Sequence, residues 1–108
     1  MNNKSIILHI LEHIELIQQF AHEYDSFESF QMDVKGTSAC IFHLMQIGEL
    51  MNMLDVSFKT DHPEVMWQDI INMRHRIVHH YSDINYSIVW LSIQNDLPEL
   101  LDQMRKLI

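Results

Sequence analysis

Apolar residues recur along this chain with a period near that of the α-helix, and the rhythm breaks in few places. Between residues 4 and 24, Ile6, Ile7, Ile10, Ile14, Ile17 and Ala21 form one stripe, with Glu12, Glu15 and Gln19 off it. That spacing predicts an amphipathic helix. Asp25 and Ser26 follow as candidate caps for a further helical segment. A second helix is expected over about 32–56, presenting Ile41, Leu44, Met45, Ile47, Leu50, Met51 and Leu54. Gly36 and Gly48 lie inside it, and each costs about 1 kcal/mol of helix propensity against alanine. Each glycine either lets another helix approach closely or marks a local kink.

Residues 57–64, SFKTDHPE, read as the clearest break. Asp61 is placed to cap the next helix, with Pro63 in its first turn and Glu64 in the capping-box position. That third helix is expected over about 66–80, with Trp67, Ile70, Ile71, Arg74, Ile77, Val78 and Tyr81 on one broad face. Residues 82–85 form a turn, and a fourth helix covers about 86–107. Pro98 should kink it near Leu97, because proline lacks an amide N–H and its ring meets the carbonyl one turn back. Long helices with short connections predict an all-α, up-and-down bundle of four to five helices, in a single domain spanning 1–108.

Composition agrees and adds limits. Apolar residues make up 47% of the chain, enough for a packed core and against disorder. Two glycines and two prolines are too few turn residues for many short strands. The lone Cys40 has no internal partner for a disulfide, which suits a reducing, cytoplasmic setting. The opening stretch MNNKSIILHILEHIEL is broken by histidines and glutamates, so neither a leader nor a membrane span is expected there.

The net charge of −8 speaks against a broad electrostatic grip on nucleic acid, and no DNA partner is expected. The charge is uneven, however. From Ile70 to Ser82 there is no acidic residue, while Arg74, His75, Arg76, His79 and His80 all fall there. A solvated helix end is the plain explanation, since cations suit a helix C-terminus. Against it stands Arg74, which periodicity sets on the apolar stripe beside Ile70, Ile71, Ile77 and Val78. A guanidinium there is costly unless something anionic meets it.

A second constellation sits near the start. His9, Glu12 and His13 read H-x-x-E-H, with both histidines on one helix face, a zinc pattern of inverzincins. Five residues of two common types make a weak match, and an exposed helix face is the better explanation. His75 and His79 also stand one turn apart, but no cysteine or carboxylate adjoins them to complete a metal site. The methionines at 45, 51, 53, 66, 73 and 104 lie in or near apolar stripes and read as core filling.

Arg74-x4-His79-x-Tyr81, with the polar His75 directly after the arginine, resembles the signature of HEPN-domain ribonucleases. The closer likeness is to the HepT-like toxins of HepT–MntA toxin–antitoxin pairs. It extends through Gln46-Ile47-Gly48-Glu49, His62-Pro63-Glu64, Trp67-x-x-Ile70, Ile77-Val78-His79, Val89-Trp90 and Asn95-Asp96-Leu97-Pro98. One departure is His75, where that family often carries asparagine. The resemblance implies a HEPN-like bundle that dimerises and cleaves RNA without metal or cofactor, as the toxin of a type VII system. It implies Arg74 and His79 as catalytic residues and Tyr81 as the acceptor of AMP from an MntA-like nucleotidyltransferase antitoxin. His75 and Arg76 would be RNA contacts and Glu49 a supporting residue. The alternative is a non-catalytic helical partner of a separately encoded nucleotidyltransferase.

The chemistry suits that implication. Cleavage through the 2′-hydroxyl needs a base, an acid and positive charge on the phosphorane. Histidine titrates near neutrality, and arginine offers a planar, always-charged fork. Residues five apart on an α-helix point roughly 140° apart, so Arg74 and His79 cannot converge from one straight helix. Either the helix unwinds near His79 or a two-fold dimer brings two motifs to one cleft. Tyr81, seven residues after Arg74, would lie near the same face of a continuous helix; a core or interface tyrosine is the plain reading there.

Overall fold

The computed structural model describes residues 1–79 and 81–108, and the side chains of these except at 78, 79 and 81. Among the described residues the regular structure is helical throughout. The elements are α1 (Asn3–Ala21), α2 (Phe27–Met32), α3 (Val34–Met53), α4 (Val56–Asp61), α5 (Trp67–His79), α6 (Tyr86–Leu91) and α7 (Leu97–Arg105). A 3₁₀ turn, Tyr81–Asp83, precedes α6, and a π turn, Ser92–Asp96, joins α6 to α7.

Local chemistry starts most of these helices. Asn2 caps α1 by accepting from the Ser5 amide at 2.8 Å. Ser26 and Ser29 form a reciprocal capping box on α2. Asp33 accepts from the amides of Lys35 and Gly36 at the start of α3, and from the Tyr24 hydroxyl at 2.6 Å. That bond and the Gly36 amide hold the Asp33 carboxyl below the usual carboxylate range. The same bond, with its negative partner, pushes the Tyr24 hydroxyl up to about 12.

The expected break at 57–64 is only partly a break. Val56–Asp61 forms α4, and Asp61 ends that helix instead of capping the next one. Tertiary contacts explain both. Phe58 packs against His62 and Trp67, and the Lys59 ammonium donates to the Met51 carbonyl at 3.0 Å. The start of α5 is tied down from α7: Gln103 accepts from the Met66 amide at 3.2 Å and donates to the Glu64 carbonyl at 3.1 Å. Trp67 completes the tie through its indole N–H to the His62 carbonyl at 2.9 Å.

α3 lies at the centre, packed along α1 on one side and α5 on the other, while α7 closes against α1 and α6 against α2. The stripe of α1 is wholly inside: Ile6, Ile7, Ile10, Ile14, Ile17 and Ala21 are buried, and so is Leu11, which the stripe did not include. They share one core with Leu44, Ile47 and Met51 of α3, Ile70 of α5 and Leu97 and Leu100 of α7. Trp90 lies on Phe30 with ring centroids 4.9 Å apart. Pro98 falls in the first turn of α7; the chain reaches it through the π turn, where the expectation was a kink near Leu97. No described helix is long and apolar enough to cross a membrane.

Candidate active site

The site grows from one close contact between α3 and α5. Gly48 faces α5, and a Cβ placed on it would meet Cγ of Arg74 at 2.8 Å and Cδ at 2.9 Å, and Cβ closer still. Of the two outcomes open for Gly48, close approach is the one realised. The aliphatic stem of Arg74 crosses the bare backbone of α3 and carries the guanidinium to Glu49, where Nη2 meets Oε2 at 2.6 Å. Arg74 is thus paired with a carboxylate from another helix, although its own segment offers none.

Exposure decides what the pair can do. The Arg74 side chain is 27% accessible and that of Glu49 52%, so the pair belongs to the weak, solvated class worth about 0–1 kcal/mol. Glu49 orients the fork without locking it. Arg74 Nε is buried and finds no hydrogen-bond partner among the described residues. The part of the guanidinium that stays accessible beside Glu49, not the buried Nε, is what a phosphate oxygen can meet.

The other residues of the basic island separate. His75 is exposed on α5. Arg76 is exposed too and borders an apolar cleft of about 180 Å³ walled by Met73, Ile77, Ile84 and Ile88. The His79 and Tyr81 side chains lie outside the described residues. Among the described residues α5 runs from Trp67 to His79, and Tyr81 opens a 3₁₀ turn.

The H-x-x-E-H constellation is divided. His9 pairs with Glu12 at 3.5 Å on the surface, while His13 turns to α3, its Nδ1 lying 2.8 Å from Nδ1 of His43. One ring donates a shared hydrogen and the other accepts. Burial, and for His13 the neighbouring imidazole, lowers the pKa of both. Among the described residues no three His, Cys, Asp or Glu side chains could together hold a metal ion. Burial pushes the Cys40 thiol up to about 11, so it is inert as a nucleophile.

Sequence reasoning missed the His13–His43 pair and the cleft beside Arg76. The first joins residues 30 apart on different helices, so no local spacing reveals it. The second draws on α5, the turn and α6 together.

Comparison with known proteins bears on this arrangement. Residues 10–107 match the family model described as Ribonuclease HepT-like. A "Probable ribonuclease HepT" of Thermococcus cleftensis is 34% identical over 106 residues, covering 98% of this chain and 96% of the relative. A protein of Caldanaerobacter subterraneus subsp. tengcongensis, named as a candidate RNase, is 34% identical over 100 residues, 93% of this chain and 88% of its own. A similarly named protein of Methanocaldococcus jannaschii is 30% identical over 105 residues, 97% of this chain and 86% of its own. No solved structure matches at a significant level. The chain belongs to the HepT-like ribonuclease family.

Proposed function

We propose that this HepT-like chain is a metal-independent endoribonuclease, the toxin of a type VII toxin–antitoxin pair. In this reading it works as a homodimer and is silenced when a cognate MntA-like nucleotidyltransferase adds AMP to Tyr81. The observation that carries the reading is the seat of Arg74: a cation laid across Gly48, oriented by Glu49 and still partly open to solvent. It stands in the Arg74-x4-His79-x-Tyr81 motif of a chain whose relatives are named as ribonucleases.

The assigned roles follow from chemistry. Arg74 neutralises the phosphorane as charge builds on its equatorial oxygens. His79 moves protons, taking that of the attacking 2′-hydroxyl or supplying one to the departing 5′-oxygen. His79 follows Arg74 by five residues, and ideal α-helical spacing sets positions five apart about 140° from one another. A second copy that presents its own motif across a two-fold axis supplies the missing proton-transfer group and completes the cleft. AMP on Tyr81 would set a phosphate in the same basic island and exclude the RNA backbone. The bonds balance simply: the tyrosyl oxygen attacks the α-phosphorus of ATP, pyrophosphate leaves, and the phenolic proton goes to solvent.

RNA cleavage by the purified chain, with excess chelator and beside His79→Ala, tests the first half. Cleavage should survive the chelator, leave a 2′,3′-cyclic phosphate or its opened product, and vanish in the variant. For the second half, the transferase with MgATP should add one or more AMP masses and end cleavage, with Tyr81→Phe resistant to both. A wild-type chain that binds the transferase but cuts no RNA would instead establish a non-catalytic partner. Sedimentation at micromolar concentration checks the dimer; a monomer that still cuts RNA removes that part.

A further inference from the structure

We propose that the cleft between α5 and α6 is a nucleobase subsite that selects guanine in the RNA strand, an inference that rests on the ribonuclease reading. Its size sets the kind of ligand. Sites for whole small molecules run about 300–1,000 Å³, whereas this cleft holds about 180 Å³, room for one ring system and not for a whole nucleotide. Its walls, Met73, Ile77, Ile84 and Ile88, are apolar and suit the faces of a flat base.

The rim sets which base. Arg76, Asp83 and Asn85 all border the cleft. Arg76 and Asp83 form no ion pair with each other or with any other described residue, so a cation and a carboxylate stand unmatched at one opening. Asn85 is committed on one side only. Its Oδ1 caps α6, accepting from the Ser87 and Ile88 amides at 3.0 and 3.3 Å and from the Ser87 hydroxyl at 2.6 Å. That fixes the amide plane and leaves Nδ2 as a donor.

A carboxylate beside an amide donor fits one Watson–Crick edge best. Guanine offers two parallel N–H groups, N1 and N2, to Asp83 and its O6 to Asn85 Nδ2. Adenine and cytosine each present one amino group next to a ring-nitrogen lone pair, which a carboxylate repels. Uracil presents one N–H between two carbonyls. Single-stranded RNA is read on these edges, and one bidentate pair discriminates by about 10-fold or more. Arg76 takes the phosphate of the same strand.

Two measurements test this. Cut sites are mapped on a random-sequence RNA pool with wild type, Asp83→Asn and Ile88→Trp. Guanine should be enriched about 10-fold at one fixed offset from the cut, and the enrichment should fall at least 5-fold in both variants. Separately, guanosine 5′-monophosphate should shift the Met73 methyl resonance at concentrations where the other three nucleotides do not, and Ile88→Trp should abolish the shift. Asp83 is exposed, so its variant folds even if Ile88→Trp does not. Cleavage without guanine enrichment, enrichment that survives Asp83→Asn, or four nucleotides acting alike would overturn the subsite. So would a Met73 methyl that no nucleotide reaches while Ile88→Asp turns a dimer into a monomer, since the cleft would then hold a second copy. Selective guanosine binding by a chain that cuts no RNA would keep the subsite and defeat the ribonuclease reading alone.

Discussion

α3 has two unlike neighbours. Towards α1 it presents buried aliphatic side chains, and α1 answers with a stripe in which Ile10, Ile14 and Ile17 have no accessible surface. Towards α5 it presents Gly48, and the side chain that fills the contact is the stem of an arginine. The first contact maximises apolar area removed from water, at about 25 cal/mol per Å². The second gives up apolar volume to hold a charge where solvent reaches it, and leaves Nε without a partner among the described residues. One helix therefore carries much of the apolar core on one face and candidate chemistry on the other.

The comparison can be broken by substitution. Ile14→Ala should give the largest effect, about 2–5 kcal/mol lost in urea unfolding, with cleavage per folded molecule unchanged. A fall in cleavage beyond the unfolded fraction would mean the two faces are not separable. Arg74→Ala should do the reverse. Cleavage should drop about 10²–10³-fold, as when one preorganised stabiliser of the transition-state charge is removed, with a smaller loss of stability than Ile14→Ala. Arg74→Lys should recover little, because the ammonium lacks the fork.

Gly48→Ala tests the seam itself. Helix propensity favours alanine by about 1 kcal/mol, but the new methyl meets Arg74 near its backbone, where overpacking costs about 1–3 kcal/mol. A net loss of stability together with reduced cleavage is expected. A stabilised, fully active variant would show that α5 can withdraw and that the close seat is not required.

Smaller effects should follow pH. His13 and His43 have pKa values lowered in the fold, so below about 6.5 the unfolded chain binds more protons than the folded one. Stability is fully present above that value and falls as pH drops through the folded pKa values. His43→Phe should flatten the unfolding-midpoint profile in that window without altering cleavage at neutral pH. Tyr24 should give the smallest and opposite effect. Its pKa is raised to about 12, so the stability it contributes is present below 10 and lost as pH rises towards 12, a loss absent in Tyr24→Phe.

How much of this was legible depends on where each interaction lies in the chain. The stripe of α1 is plain in the sequence because its six positions face a single core, and the turn at 82–85 is legible because residue types there are local signals. α4 and the start of α5 were not, since Phe58, Lys59 and Gln103 act on partners in other elements. Arg74 was marked by its cost on an apolar stripe. Spacing alone did not reveal what met that cost, because the pairing of Gly48 and Glu49 with Arg74 is a register between helices. Family resemblance points to Glu49, and at Gly48 the sequence allows two explanations that only packing separates.

The π turn has its own consequence for how the chain can change. At Leu97 the N–H reaches back five residues to the Ser92 carbonyl, so the stretch winds as an α-helix that has absorbed one spare residue. Pro98 follows at once, and its ring would collide with a carbonyl four residues back in ordinary winding. The spare residue and the proline thus offset one another. Deleting the exposed Gln94 alone should tighten the turn against the proline ring, and Pro98→Ala alone should leave the wide turn without its reason. Made together, the two changes should cost less than their sum, a coupling that a double-mutant cycle reads directly.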